Sequence, residues 1–280
     1  MGMLLGARDL GLKTEWRFGF APFGFHAETT PGAVYLDVGG SLRPGVLDHH
    51  ADPGSDSSAS LVLSHREAVY NHLLGPWLER YPEGRVPEGT TWRPTIVTHG
   101  NPDWDGMTAA WLVMKLVEDG DFPACAPALS AYSLDVDQGR CRIDPKERDS
   151  IYAPHIGYLA LQNLAPEGKK LSNEECLLKG FDLLNAALAG IESATGFGPR
   201  NKSAFLPPAP GAAAWADAPE FKEVRGLLEN DRKKFDEDRK HRDGEILEVM
   251  LPDRTSGKAM AVPAWVARRP TDSAFNKYWV

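Results

Sequence analysis

Thr95-Ile96-Val97-Thr98-His99-Gly100-Asn101-Pro102-Asp103-Trp104-Asp105-Gly106 holds a short β-branched run, a polar turn and the start of an apolar helix. Thr95–Thr98 reads as a strand. Gly106 to Val117 is apolar nearly all round and reads as a buried helix, whose small Ala109 and Ala110 let its first turn approach a crowded site. Upstream, Ala33-Val34-Tyr35-Leu36-Asp37 reads as a second buried strand, followed by a turn at Gly39-Gly40. The apolar pair Val46-Leu47 leads into Asp48-His49-His50.

The polar residues collect where strands end. His99, Asp103 and Asp105 follow one strand, Asp37 closes another, and Asp48, His49 and His50 follow a third apolar run. Histidines and aspartates together form a mixed nitrogen and oxygen donor set, which suits manganese or a similar divalent cation. Alternation of strands and helices over the first two thirds predicts an α/β fold with a mainly parallel sheet and helices on both faces. Ligands of such sheets bind beyond the carboxyl ends of the strands. Motif and context therefore agree on a metal site.

Composition narrows the setting. Of the 280 residues, 42% are hydrophobic and 25% charged, as in ordinary globular proteins. No run approaches the roughly 20 apolar residues of a membrane span. The apolar stretch at the start is too short for a secretory signal. Cys125, Cys141 and Cys176 form no CxxC pair, so a reducing cytoplasm is expected rather than a disulfide framework. A net charge of −8 argues against a broad surface tracking duplex nucleic acid. It leaves room for a small anionic substrate, because bound cations reverse the local sign.

Residues 1–30 show no clear period. A serine-capped helix is predicted from about Ser57 to Leu74, and a Pro/Gly-rich connection from Gly75 to Pro94. Further helices are predicted near 146–165 and 173–190. The division expected is a metal-binding α/β domain over 1–195, a Pro/Gly/Ala-rich linker over 196–219, and a small C-terminal α+β part over 220–280. The last would comprise a charged helix (220–241) and two strands, Glu245–Leu251 and Ala259–Val262. Mixed signs at i,i+4 along the charged helix mark a solvated face. His65, His72, His155 and His241 are read as packing or surface residues. Trp104 or Tyr132 is a candidate stacking platform if either lines the pocket.

With these motifs in view, the chain resembles the DHH phosphoesterase superfamily. The resemblance rests on His99-Asp103-Asp105 as an HxxxDxD motif, Asp37 as a lone aspartate after a strand, Asp48-His49-His50, and a later aspartate, Asp135 or Asp137. Asp137 is favoured because Gly139 follows at the family's spacing. Asp37-Val38-Gly39-Gly40 before the DHH tripeptide is similar to the exonuclease branch once called metal-dependent protein hydrolases. In the family the HxxxDxD motif comes first; here it follows, in the order of a circular permutation.

The resemblance implies two Mn²⁺ ions, with Mg²⁺ or another divalent ion as alternatives. His99 and Asp103 would hold one, and Asp105, His49 and Asp137 the other, with Asp37 bridging. A metal-bridging hydroxide would attack phosphorus. Asp48 would accept a hydrogen bond from an imidazole and fix its tautomer. His50 would orient a phosphate or protonate the leaving oxygen. The implied activity is hydrolysis of a small phosphoester such as a short oligonucleotide or nucleotide. Alternatives are a pyrophosphatase or polyphosphatase, and a non-catalytic nucleotide sensor. A nucleotide needs an aromatic or apolar slot, whereas an anhydride needs a tight basic one. The partners implied are a small phosphorylated substrate or short single-stranded nucleic acid, with a homodimer allowed and no membrane. The family's Gly-Gly-x-His substrate loop is missing; Arg200 and Lys202, or Arg268 and Arg269, are the candidate replacements.

Overall fold

The computed structural model describes residues 4–50, 56–141, 153–163, 170–195, 218–240, 244–252 and 259–267. In chain order the strands are β1 (Lys13–Thr14), β2 (Arg17–Ala21), β3 (Ala33–Leu36), β4 (Leu42–Arg43), β5 (Val46–Leu47), β6 (Thr91–Trp92), β7 (Thr95–His99), β8 (Gly244–Pro252) and β9 (Ala259–Ala267). The helices are α1 (Ser58–Ser64), α2 (Arg66–Arg80), α3 (Trp104–Asp119), α4 (Ala126–Asp137), α5 (Pro154–Asn163), α6 (Asn173–Thr195) and α7 (Lys222–Lys240).

The central sheet has the order β2-β7-β3-β5-β4. Its first four strands run parallel, and only the two-residue β4 at the edge is antiparallel. This is the mixed α/β architecture with a parallel-dominated sheet. Val34, Leu36 and Ile96 are fully buried, in one core with Leu112, Val113 and Leu116 of α3 and Leu73 and Leu74 of α2. Burial alternates along β7: Ile96 and Thr98 are buried, and Thr95, Val97 and His99 half-buried. Tyr35, whose register partner is Val97, is half-buried too. The helical cover expected on both faces is therefore incomplete on this second face among the described residues.

Helix α3 is where local chemistry and position meet. Asp103 caps it by accepting from Gly106 N at 3.0 Å, which satisfies one of the free N–H groups of the first turn. Gly120 ends it in the left-handed conformation, φ 70°. Met107, Ala109, Ala110, Leu112, Val113 and Leu116 are fully buried, and α1 and α4 pack on the helix. The small pair Ala109-Ala110 is fully buried on this helix.

Several expectations are corrected. The helix predicted from Ser57 to Leu74 is two helices. Ser57 is the N-cap, with its side chain accepting from Ser60 N, but the helix breaks at His65. There Ser64 Oγ donates back to Ser60 O, a contact that bends helices. Helix α2 then runs through Gly75 and Pro76 to Arg80, into the stretch read as connection. Residues 1–30 contain β1 and β2. The second lies along β7 in register, with Gly19 packed against Val97. Helix α4 was not expected. Helix α5 begins at Pro154, in the first turn, where proline's missing N–H costs nothing. Residues 146–152 and most of the 196–219 segment lie outside the described residues. Phe221, Val224 and Leu228, at the start of the charged helix, join the central core. Strands β8 and β9 form an antiparallel hairpin in full register.

Candidate metal centre

β7, β3 and β5 are neighbours in the sheet, so their carboxyl ends stand side by side. His99 ends the first, Asp37 follows the second and Asp48-His49-His50 follow the third. The order of the motifs along the chain is thus immaterial to where they meet. Asp37 leaves its strand with φ 60°, a left-handed conformation uncommon outside glycine. Asn101, in the loop between His99 and Asp103, has the same φ. Asparagine tolerates that conformation comparatively well.

Asp37 is the hub. Its Oδ1 lies 3.1 Å from His49 Nε2 and its Oδ2 3.2 Å from His99 Nε2. Ser58 Oγ donates to Oδ1 at 3.3 Å. Around this carboxylate the ligand atoms fall into groups within 4.8 Å of one another: Asp37, His99 and Asp103; His49, Asp105 and Asp137; and Asp37, His49 and His50. These Asp/His groups could hold a metal ion. Of the residues read from the motifs, Asp37, His49, His50, His99, Asp103, Asp105 and Asp137 fall in these groups, and Asp48 adjoins them through His50.

His99 Nδ1 is 3.0 Å from Gly100 O, and a carbonyl only accepts, so Nδ1 carries the proton. This fixes the ring with Nε2 towards Asp37. Asp105 is buried at the base of the site. It accepts from Ser58 N at 2.6 Å, Ala59 N at 3.1 Å and Ser133 Oγ at 2.9 Å. The N-terminus of α1 thereby closes onto it, which the helix dipole favours. Three bonds leave one of about four acceptor positions on the carboxylate open. Asp137, at the exposed end of α4, sits with His49 and Asp105, whereas Asp135 is ion-paired with Arg140 at 2.6 Å. Asp48 Oδ1 lies 2.7 Å from His50 Nδ1 and also accepts from His50 N, while Oδ2 accepts from Gly40 N at 2.6 Å. The imidazole that Asp48 holds is therefore that of His50.

The electrostatics express crowding. Burial acts to raise Asp37, but hydrogen bonds from His49 and His99 outweigh it and hold the carboxyl well below its ordinary range. The bond to Asp37 lifts His49 to about 9. Burial opposes the charged form of His99, yet Asp37 and the negative charge of Asp103 raise it to about 9. Asp103 is pushed up to about 6 and Asp105 to about 7, first by desolvation and then by the charge of Asp37. Burial raises Asp137 as well. Carboxylates that resist ionising beside one another want a cation.

Beside the cluster lies a cavity of about 230 Å³ lined by Phe23, Gly24, Phe25, His26, Asp37, Val38, Gly40, Asp48 and His50. Phe23 is 81% exposed and meets the His50 ring edge-on, with centroids 5.4 Å apart. The tryptophan and tyrosine expected as stacking platforms are elsewhere. Trp104 and Tyr132 are buried and pack against each other and His155. Tyr132 Oη bonds His155 Nδ1 at 2.5 Å, and burial drives His155 down to about 3, so this imidazole is neutral. It is a packing residue, as read from the sequence. Arg200, Lys202, Arg268 and Arg269 lie outside the described residues.

Sequence reasoning missed Ser58, Ser133 and Phe23. Ser133 stands four residues before Asp137 on one helix face, a spacing visible once α4 is recognised. Phe23 meets His50 through a long-range contact that leaves no local signal. No protein-family model, curated protein or solved structure matches the chain. Fold and site define a class, an α/β protein with Asp/His groups at the carboxyl ends of parallel strands that could hold a metal ion. No helix among the described residues is long and apolar enough to cross a membrane.

Proposed function

We propose that the chain is a divalent-metal-dependent phosphoesterase of the DHH type, acting on a small phosphoester such as a short oligonucleotide or nucleotide. The observation that carries this reading is Asp37, whose two oxygens face His49 and His99 separately while further carboxylates stand behind each histidine. One ion would be held by Asp37, His99 and Asp103, and a second by Asp37, His49, Asp105 and Asp137. Such ions supply an activated water at neutral pH and neutralise charge gathering on the phosphoryl oxygens.

The chain's own residues do the rest. Asp37 offers one oxygen to each position. Asp105, pinned by two backbone N–H groups and Ser133, holds the buried side of the site rigid. His99 would bind through Nε2 with that nitrogen deprotonated, and Gly100 O keeps the Nδ1 proton in place. His50, 43% exposed at the rim, is oriented by Asp48, which leaves Nε2 as the ring's other polar atom. That atom orients the phosphate or protonates the leaving oxygen. Adjacency of β7, β3 and β5 supports the likeness to DHH phosphoesterases despite the permuted motif order.

The test is hydrolysis of bis(p-nitrophenyl) phosphate by metal-stripped protein with and without added Mn²⁺. The expected result is turnover only with metal, abolished in Asp103→Ala at unchanged circular dichroism. Turnover that survives Asp103→Ala, or none with any divalent ion, overturns the reading.

A further inference from the structure

One wall of the cavity beside the metal cluster is a loop with no part in the ligand set. Pro22 to Ala27 crosses the carboxyl end of the sheet as a tight turn: Phe25 N donates to Pro22 O, and Gly24 takes φ 79°. The loop is pinned to the Gly39-Gly40 turn by a bridge between His26 and Gly39 and by the bond from Ala27 N to Gly39 O. A guanidinium bond from Arg43 to Ala27 O holds it from the other side. Gly40 has φ 71°, and a Cβ there would stand 2.6 Å from His26 Nδ1, so only glycine lets the loop sit so close. Phe25 is braced by stacking on Tyr35, with centroids 6.1 Å apart. Among the described residues, Phe23 has one aromatic neighbour, His50, and is 81% exposed.

Phe23 and Phe25, 81% and 37% exposed, present two neighbouring aromatic rings at the cavity beside a candidate catalytic histidine. Asp37 and His50 belong to both the cavity and the metal cluster, so whatever fills the cavity is continuous with what reacts. No Lys or Arg is among the described residues lining it. A second phosphate is therefore a poor occupant, and a flat apolar ring is a good one. The volume lies below the roughly 300–1,000 Å³ of pockets for drug-sized ligands, which fits one ring system rather than several.

We infer that Phe23, with Phe25 and His26 beside it, forms the slot for one nucleobase of the substrate, stacked beside His50 while its phosphate lies at the Asp/His cluster. This rests on the phosphoesterase reading for the placement of the phosphate. It narrows the substrate to a nucleotide, against pyrophosphate or polyphosphate. Because every base has a stacking face, the slot is tolerant of base identity.

The experiment is a calorimetric titration of the Mn²⁺-loaded full chain with AMP and with ribose 5-phosphate, which differ only in the base. Hydrolysis of bis(p-nitrophenyl) phosphate by the same protein is followed alongside. Wild type is expected to bind AMP about tenfold tighter, the scale of one base–aromatic stack. Phe23→Ala is expected to bring the two within about twofold by weakening AMP alone, and Phe23→Trp to keep the preference. The exposed ring can be removed without disturbing the core. Equal affinities in wild type, a preference that survives Phe23→Ala, or binding of neither compound overturns the slot. A Phe23-dependent preference in a protein that hydrolyses no phosphoester would sustain the slot and sink the phosphoesterase reading. Hydrolysis without a preference does the reverse.

Discussion

His99 Nε2 and Asp103 Oδ1 stand 4.0 Å apart, too far for a hydrogen bond, across the mouth of a site in which most other polar groups are paired. The backbone holds this gap open: Asp103 caps α3 through Gly106 N, and His99 is anchored by Gly100 O. A cation between them satisfies both.

Metal affinity should rise steeply with pH. Ligands bind as imidazole and carboxylate, so the protons on Asp103 (about 6), Asp105 (about 7), His49 and His99 (both about 9) must leave first. Each displaced proton contributes up to about tenfold per pH unit. Calorimetric Kd values for Mn²⁺ at pH 6, 7.5 and 9 should therefore fall in sequence, with proton release visible as buffer-dependent heat. Constant affinity across this range would contradict the ligand set.

Stability of the metal-free protein should move the other way. Asp103, Asp105, His49 and His99 all have folded values raised above their ordinary ones. What they contribute is complete below the ordinary value and is lost as pH rises through the folded one. For the aspartates that window runs from 3.8 to about 7, and for the histidines from 6.5 to about 9. Asp37, lowered, contributes above its ordinary value, and this is lost only on strong acidification. Thermal melts of stripped protein should accordingly show Tm declining from pH 5 to 9. Mn²⁺ at a hundred times Kd should restore about 2.7 kcal/mol per site. A Tm that climbs across the same range without metal would count against the arrangement.

Much of the site was legible because strand ends, turns and helix starts are local signals. Thr95–Thr98 and the apolar Gly106–Val117 bracket His99, Asp103 and Asp105 so tightly that their placement follows from the two elements. What could not be read depends on distant partners. Phe18 and Phe20 flank a glycine that makes sense only against Val97 of β7, so the strand they belong to has no pattern of its own. Helix α4 is buried at Ala126, Ala128, Leu129, Tyr132, Ser133 and Asp135, and such burial erases the amphipathic stripe by which helices are found. At the break before His65, Ser64 Oγ donates to Ser60 O and His65 Nδ1 bonds Leu61 O, contacts that no sequence pattern marks.

His50 and Asp48 should act on turnover rather than on metal. His50→Gln is expected to lower kcat by about 10²–10⁴ if it transfers a proton. Asp48→Asn, which disturbs the orientation of that ring and a backbone bond from Gly40 or His50, should cost about 10–100-fold. Mn²⁺ stoichiometry should be unchanged in both, and loss of an ion in either variant would reassign His50 as a ligand.

Ser133→Ala removes a buried hydroxyl that donates to Asp105 at 2.9 Å. Loss of a hydrogen bond to a charged group costs about 1.5–3 kcal/mol. That is several degrees of Tm for a chain of this size. The penalty should be largest above pH 7, where Asp105 is ionised, and should shrink at pH 5. A uniform loss at both pH values would place Ser133 outside the charge network.

The most direct measurement of the central claim is the Mn²⁺ stoichiometry of metal-stripped protein by calorimetric titration, in wild type and Asp37→Asn. The account predicts two ions per chain, weakened together when Asp37 loses its charge, because one carboxylate serves both histidines. A single ion, or two of which only one responds to Asp37→Asn, would contradict it.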